Sequence, residues 1–427
     1  METAQRHNRA IRLLTVGLIA LFCNILSVAQ PVSTAPVQGD TVISVVNFYP
    51  GAEIFELEGH TALRVQVPGG DFGVSYGMFS FNEPNFVYRF VKGETDYWVG
   101  LVPWEPFVDS YTRQGRRVVE HVIAMSPEQK KRMLELLQEN LLPQNAVYRY
   151  NYVRDNCATR PLAIVEKALG DSIVLGEPAL TPGDRDTAYA AAVLAAPVSW
   201  RDAMRHYHAR YPWYQFGIDI CLGSGIDFEL DNRQKAFAPV ILDSQLANAT
   251  VAGRPLVAQT TVVNDVPADN GILSATPWFL TPMCVFTLWF VLVCIVTVHD
   301  IRRHSVSRWL DSLLFGLYGT VGLLVAFLVF VSEHEATSPN WLIWWLNPLC
   351  FVPALLVWIK SARKLLICFQ IANFAVLTML ACAWAATGQS ANPAFLPLFA
   401  AEMVRTLSYI YINKTNRDKF LEKGQTK

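Results

Sequence analysis

The sequence predicts an α+β globular domain held outside the cytoplasm, followed by an all-α transmembrane bundle. Its 427 residues are 52% hydrophobic and only 17% charged, with a mean hydropathy of +0.25, too apolar for a soluble chain of this size. The apolar residues are unevenly spread: residues 31–270 read as a mixed globular sequence, whereas 277–412 are nearly all hydrophobic segments. Within the mixed part, strand signals come first and well-marked helices follow. A net charge of -1 gives no concentrated basic face, so nucleic-acid binding is set aside.

The N-terminus carries Arg6, Arg9 and Arg12, an apolar run from Leu13 to Val28, and Ser27-Val28-Ala29 before Gln30. This is the build of a secretory signal peptide over residues 1–29; an uncleaved anchor is the alternative. Phe22 stands where a lipoprotein site at Cys23 needs a small residue.

Residues 31–247 form the expected periplasmic domain. Val42 to Phe48 and His60 to Val67 read as strands, punctuated by Pro50-Gly51 and Pro68-Gly69-Gly70. His121 sits in a plain strand pattern from Val118 to Ala124. Ser126 caps a helix with Pro127 at its first position, Gln129 three residues after the cap, and Met133, Leu134, Leu137 and Leu141 on its apolar face. Val147 to Val153 alternates in strand fashion and leads into Asp155-Asn156-Cys157-Ala158-Thr159-Arg160-Pro161, then Leu162 to Leu169 and a terminating Gly170. Either Asn156 or Thr159 starts that helix. Gly223 and Gly225 mark a turn, and residues 248–276 read as a polar linker.

A helix needs roughly 20 apolar residues to cross the hydrocarbon core. Pro277 to Val298, Ser312 to Val331, Trp341 to Ile359 and Leu365 to Ala386 qualify; Ala394 to Ile412 is interrupted by Glu402 and Arg405 and could lie at the interface. About five spans over residues 277–412 are therefore expected. Arg302, Arg303 and Arg308 follow the first, Lys360, Arg363 and Lys364 the third, and Lys414, Arg417, Lys419, Lys423 and Lys427 the fifth, in a basic tail over 413–427. The alternate loops, Ser332 to Asn340 and Thr387 to Pro393, hold no Lys or Arg. Basic loops stay cytoplasmic, which puts the large domain outside, in agreement with the signal peptide.

Of eight cysteines only Cys157 and Cys221 fall in the globular part, and there is no CxxC pair, so a structural zinc site is not expected. Cys157 stands at a loop-to-helix junction, where the helix dipole and free amides would lower a thiol pKa, with Arg154 and Arg160 to reinforce the effect. Histidine suits the base that a thiol nucleophile requires. His60, at the start of its strand after Gly59, is the chosen partner over His121, His206, His208 and His334. A buried inert thiol, a Cys157–Cys221 disulfide and a core histidine stay open as alternatives.

The segments Glu58-Gly59-His60-Thr61-Ala62-Leu63-Arg64-Val65 and Tyr150-Asn151-Tyr152-Val153-Arg154-Asp155-Asn156-Cys157-Ala158-Thr159-Arg160-Pro161 resemble the Bacteroidetes-type lipoprotein N-acyltransferase family, Lnb. Tyr76-Gly77-Met78-Phe79, Phe86 to Tyr97, Leu222 to Asp227 and His334 to Pro348 extend the resemblance over nearly the whole chain. It implies a circularly permuted papain-like (lecithin-retinol acyltransferase-like) domain with Cys157 and His60 as the catalytic pair. A third polar residue should orient the imidazole, with Asp71 and Ser75 as candidates. The implied reaction moves an acyl chain from a phospholipid donor through a Cys157 thioester to the α-amino group of a diacylated lipoprotein, at the bacterial inner membrane, with no metal or soluble cofactor. The external connection with Glu333, His334 and Asn340 then contacts substrate or is merely a solvated loop.

Two competing functions keep parts of this reading. A membrane-tethered cysteine amidase or endopeptidase would use the same pair on cell-wall peptides, although five spans are extravagant for an anchor. A non-enzymatic sensor or transport module would use the bundle, but the first four expected spans contain no Asp, Glu, Lys or Arg.

Overall fold

The computed structural model of the chain describes residues 41–179, 188–195 and 199–425; the expected signal segment lies outside them. Strands β1 (Val42–Phe48), β2 (His60–Val67) and β3 (Gly70–Met78) form an antiparallel meander. Helix α1 (Phe86–Lys92), strand β4 (Asp96–Pro103), helix α2 (Trp104–Arg113) and strand β5 (Val118–Ile123) follow, then helix α3 (Pro127–Leu141), strand β6 (Val147–Arg149) and helix α4 (Thr159–Leu169). Ser126 and Gln129 complete the expected capping box of α3.

Residues 248–276, expected as a linker, are instead built into the domain. Val257–Asn264 (β10) joins the main sheet at its edge beside β5, and short strands β7 (Ile173–Val174), β8 (Thr250–Val251) and β9 (Arg254–Pro255) make a second sheet. The run Thr260-Thr261-Val262-Val263 is β-branched and pairs through its backbone while its side chains stay largely exposed. That is why it reads as polar linker in the sequence. The main sheet has the order β10-β5-β1-β2-β3-β4-β6.

Each face of the sheet buries a different set of residues, as the period of two requires. Val45, Leu63, Val65 and Val74 pack with Met133 and Leu137 of α3 and Leu162 and Val165 of α4. On the opposite face, Val46, Phe48 and Ala62 pack with Trp104, Phe107 and Tyr111 of α2. His60 shares the parity of Ala62 and lies on the α2 face.

After α4 come helices α5 (Trp200–Tyr207), α6 (Pro212–Cys221) and α7 (Pro239–Leu246), then the membrane bundle. Helices α8 (Pro282–Arg303), α9 (Arg308–Phe330), α10 (Arg363–Ala383) and α11 (Phe395–Gln425) contain four stretches long and apolar enough to cross a membrane. The weakest expected span, from Ala394, is thus a long helix, and it continues through the basic tail as far as Gln425. Its Arg405 is buried against Asp300 and Asp311, which offsets the cost of burying its charge.

The third expected span, Trp341 to Ile359, is not one helix but 3₁₀ turns and the short helix Phe351–Leu356. Pro348 and Pro353 each remove a backbone donor, and the Asn340 and Asn347 side chains cap separate turns. The segment runs antiparallel along α9: Asn347 lies against Gly322, Phe351 against Gly319, and the Ala354 carbonyl accepts from the Ser312 hydroxyl at 2.7 Å.

Both loops free of Lys and Arg dock on the globular domain. Gly223 N–H donates to the Ala336 carbonyl (2.9 Å) and Ser224 N–H to the Pro339 carbonyl (2.8 Å). A Cβ at Gly223 would collide with that Pro339 carbonyl, which is why glycine stands there. Asn392 donates to Asp219 at 2.8 Å, and Arg205 donates to Ser390 at 2.7 Å. The chain is a multi-pass membrane protein with a periplasmic N-terminal domain.

Candidate active site

The Asn156 side chain organises the start of α4. Its Oδ1 accepts from the N–H groups of Ala158 (2.8 Å) and Thr159 (3.0 Å), and its Nδ2 donates to the carbonyls of Tyr152 and Phe237. Thr159 Oγ1 returns the favour by accepting from Asn156 N–H at 2.9 Å, so the two expected caps act together. The Arg160 N–H donates to the Asn156 carbonyl and closes the first turn around Cys157. Pro161 still lies where its missing donor costs nothing.

Cys157 is a buried free thiol, and Cys221 is also free, so the disulfide alternative is overturned. The Thr61 backbone N–H and the Tyr150 hydroxyl, 3.9 Å away, donate toward the sulfur. The local break in the sheet explains this approach. The β2–β3 ladder ends at the Ala62–Ser75 pair, and β3 gains one residue relative to β4 before Met78. Gly77 takes the positive φ of +87° that this bulge requires. A Cβ there would sit 3.0 Å from the Tyr150 ring and 3.8 Å from Cys157 Cβ. The thiol thus occupies the opening beside the His60–Thr61 peptide.

His60 Nε2 hydrogen-bonds the Ser75 hydroxyl at 2.9 Å. Its ring lies parallel to Tyr111 at 6.2 Å and stacks on Phe48 at 6.1 Å. Although the residue is only half-buried by its surface exposure, burial, then the Arg116 guanidinium, push its pKa down to about 3. Tyr111 and Arg116 also lie within electrostatic range of the thiol. Imidazole and thiol therefore share neighbours at one end of β2, but no hydrogen bond joins them among the described residues. Among the described residues, His60 Nδ1 is the ring nitrogen without a hydrogen-bond partner.

Of the two candidates for an orienting residue, Ser75 meets the imidazole. Asp71 instead pairs with Arg64 through bonds of 3.0 and 2.6 Å. The expected activation of the thiol by its surroundings is reversed. Burial raises the Cys157 pKa, and the Thr61 N–H and Tyr150 hydroxyl offset this only in part. Arg160 is spent on Asp155 and on the Tyr148 ring, and Arg154 on Glu335. The resting site accordingly holds a neutral thiol and a neutral imidazole.

Three of the other candidate histidines have partners of their own. His121 bonds Asp243 at 2.7 Å and Thr260 at 3.0 Å, and His208, capping α5, bonds Glu58 at 2.5 Å and Gln215 at 2.7 Å. His334 bonds the Phe90 carbonyl at 2.8 Å. Sequence reasoning missed Tyr150, and also Glu58, whose carboxylate binds Tyr152 and His208 and raises the thiol pKa. Both lie inside the segments that carry the resemblance, but nothing in their spacing marks them.

No group of three or more His, Cys, Asp or Glu among the described residues could hold a metal ion. Residues 29–186 match the Lnb N-terminal periplasmic domain, and residues 274–417 match the Lnb transmembrane domain. No curated protein matches the chain. No solved structure matches it either.

Proposed function

The chain belongs to the Lnb family, and from that premise we propose that it is a lipoprotein N-acyltransferase of the inner membrane, moving an acyl chain from a phospholipid through a Cys157 thioester to the α-amino group of a diacylglyceryl-cysteine lipoprotein. The observation that carries this reading is the Cys157 thiol, set by Asn156 at a helix start and beside the His60–Thr61 peptide. The domain that holds it is docked on the membrane bundle, where both lipid substrates reside. His strand before Cys helix is also the chain order of a permuted papain-like domain.

In the first half-reaction His60 Nδ1 takes the thiol proton as the sulfur attacks the ester carbonyl. The carbonyl C–O bond breaks, the lysophospholipid oxygen takes the proton back from the imidazolium, and a thioester remains. In the second, the acceptor amine attacks the thioester, its proton passes to His60, the C–S bond breaks, and the imidazolium returns that proton to the leaving sulfur to restore the thiol and the neutral imidazole. In this reading Tyr150, whose burial holds its hydroxyl protonated well above the ordinary tyrosine range, and the Cys157 N–H donate to the developing oxyanion. Ser75 engages Nε2, which leaves Nδ1 as the nitrogen for this role.

The experiment is mass spectrometry of a diacylated lipoprotein from cells lacking N-acylation that express this chain or its Cys157→Ala variant. A third acyl chain with the unmodified protein alone is the expected result. No added chain with either, at equal expression, would turn the assignment toward a cysteine hydrolase.

A further inference from the structure

A continuous path of aromatic rings leads away from the thiol. Tyr150, whose hydroxyl faces Cys157, stacks on Tyr97 at 4.6 Å, and Tyr97 meets Phe79 at 5.4 Å. Phe79 contacts Phe81 at 4.8 Å and Phe86 at 6.1 Å, and Phe55 closes the group against Phe81 at 5.8 Å. From Phe86 the path passes to Phe90 at 5.8 Å. It ends on the bundle: Phe90 meets His334 at 6.3 Å, and Tyr88 meets Phe327 near the end of α9 at 6.1 Å.

Among the described residues, nothing of its own domain covers the outer part of this path. No residue of α1 is buried. Val87 is 73% exposed, Phe81 59% and Phe55 52%, a concentration of large apolar side chains that water alone does not favour. Yet α1 is firmly placed. Ser332 Oγ donates to the Val91 carbonyl and Glu333 N–H to the Lys92 carbonyl, both at 2.8 Å, which fixes α1 against the end of a helix long enough to span the membrane. Apolar residues held at that level face the bilayer boundary, as in an interfacial helix.

We infer that the aromatic surface formed by Phe55, Phe79, Phe81 and α1 binds the acyl chain of the donor phospholipid, leading it out of the bilayer to the Cys157 thiol. The occupant follows from the two ends of the path, one at the lipid boundary and the other at the proposed nucleophile, and from the pairing of Arg89 with Glu83 and Asp96 and of Lys92 with Glu94, which engages the cations of α1 that a headgroup would otherwise meet. This inference rests on the proposed acyl transfer for its purpose, but its placement of a lipid chain is independent of turnover.

The test uses the full-length Cys157→Ala protein in vesicles of phosphatidylethanolamine carrying a diazirine on one acyl chain. Photocrosslinks are expected in Phe79 to Phe90 and at Phe55, and Phe55→Ser with Phe81→Ser should lower their yield at least tenfold. With Cys157 present, the same double variant should slow thiol acylation by long-chain phospholipid at least tenfold while leaving reaction with a short, water-soluble acyl ester within twofold. Crosslinks confined to α8 to α11, or equal loss with long and short donors, would overturn the inference. Crosslinks at the expected residues without any thiol acylation would uphold the surface and overturn the proposed reaction.

Discussion

Ser75 Oγ and His60 Nε2 lie 2.9 Å apart on neighbouring strands, and this bond decides which imidazole nitrogen is left for the thiol. With Nε2 engaged, Nδ1 is the nitrogen available to Cys157. Ser75→Ala should leave the fold intact and lower kcat about 10- to 100-fold with little change in KM, because orientation is lost while binding is retained. Ser75→Thr, which keeps the hydroxyl, should recover much of the rate. Steady-state kinetics on the three proteins check this.

The neutral thiol and neutral imidazole fix the pH dependence. His60 titrates near 3 in the folded chain against 6.5 ordinarily, so kcat/KM should show no acid limb between about pH 5 and pH 7. The raised thiol pKa predicts slow alkylation of Cys157 by iodoacetamide at pH 7, accelerating as pH rises. An acid limb centred near pH 6.5 would mean an imidazole of ordinary pKa, and fast alkylation at neutral pH would mean a preformed thiolate.

Stability carries the same shift with a definite sign. Below pH 6.5 the unfolded chain binds a proton at His60 that the folded chain refuses until about pH 3, so stability is present above 6.5 and is lost as pH falls toward 3. In His60→Asn that part of the acid sensitivity should vanish. The fall in Tm between pH 7.5 and pH 4.5 should be smaller for the variant than for the unmodified protein.

Tyr150→Phe removes a hydroxyl 3.9 Å from the sulfur and keeps the ring that packs on Gly77 and Tyr97. If that hydroxyl serves the oxyanion, kcat falls about 10²-fold or more. Unchanged kcat would confine Tyr150 to packing.

In the bundle, Arg405 donates to Asp311 at 2.7 Å, Asp300 at 2.9 Å and Thr297 at 3.0 Å, all four residues buried. Removing one partner strands a buried charge, so Arg405→Met should destabilise the detergent-solubilised protein by about 3–5 kcal/mol. Combining it with Asp300→Asn and Asp311→Asn should recover part of the loss. Thermal unfolding of the single and triple variants gives the comparison.

Those charges were hidden from span-by-span reading because Asp300 and Asp311 fall just outside the apolar runs from Pro277 and Ser312, while Arg405 interrupts the last. Pairing across three helices is a tertiary property. Strands β1 and β2 were legible because Pro-Gly turns bound them, and the α3 cap because its box is local. The pair Cys157 and His60 is what the resemblance of two segments implies, whereas the Gly77 bulge that lets Cys157 reach Thr61 depends on the register of β3 against both neighbours. For the same reason β10 passed for linker, since an exposed edge strand carries no apolar alternation.

The central claim is a covalent acyl-thiol on Cys157. The most direct measurement is peptide mass spectrometry of the purified protein after incubation with isotope-labelled phospholipid and no acceptor. The labelled acyl group should appear on the peptide containing Cys157, leave on treatment with neutral hydroxylamine, and be absent from Cys157→Ala. Acyl transfer to lipoprotein that proceeds undiminished in Cys157→Ala, or label lodged on another residue, would contradict the account.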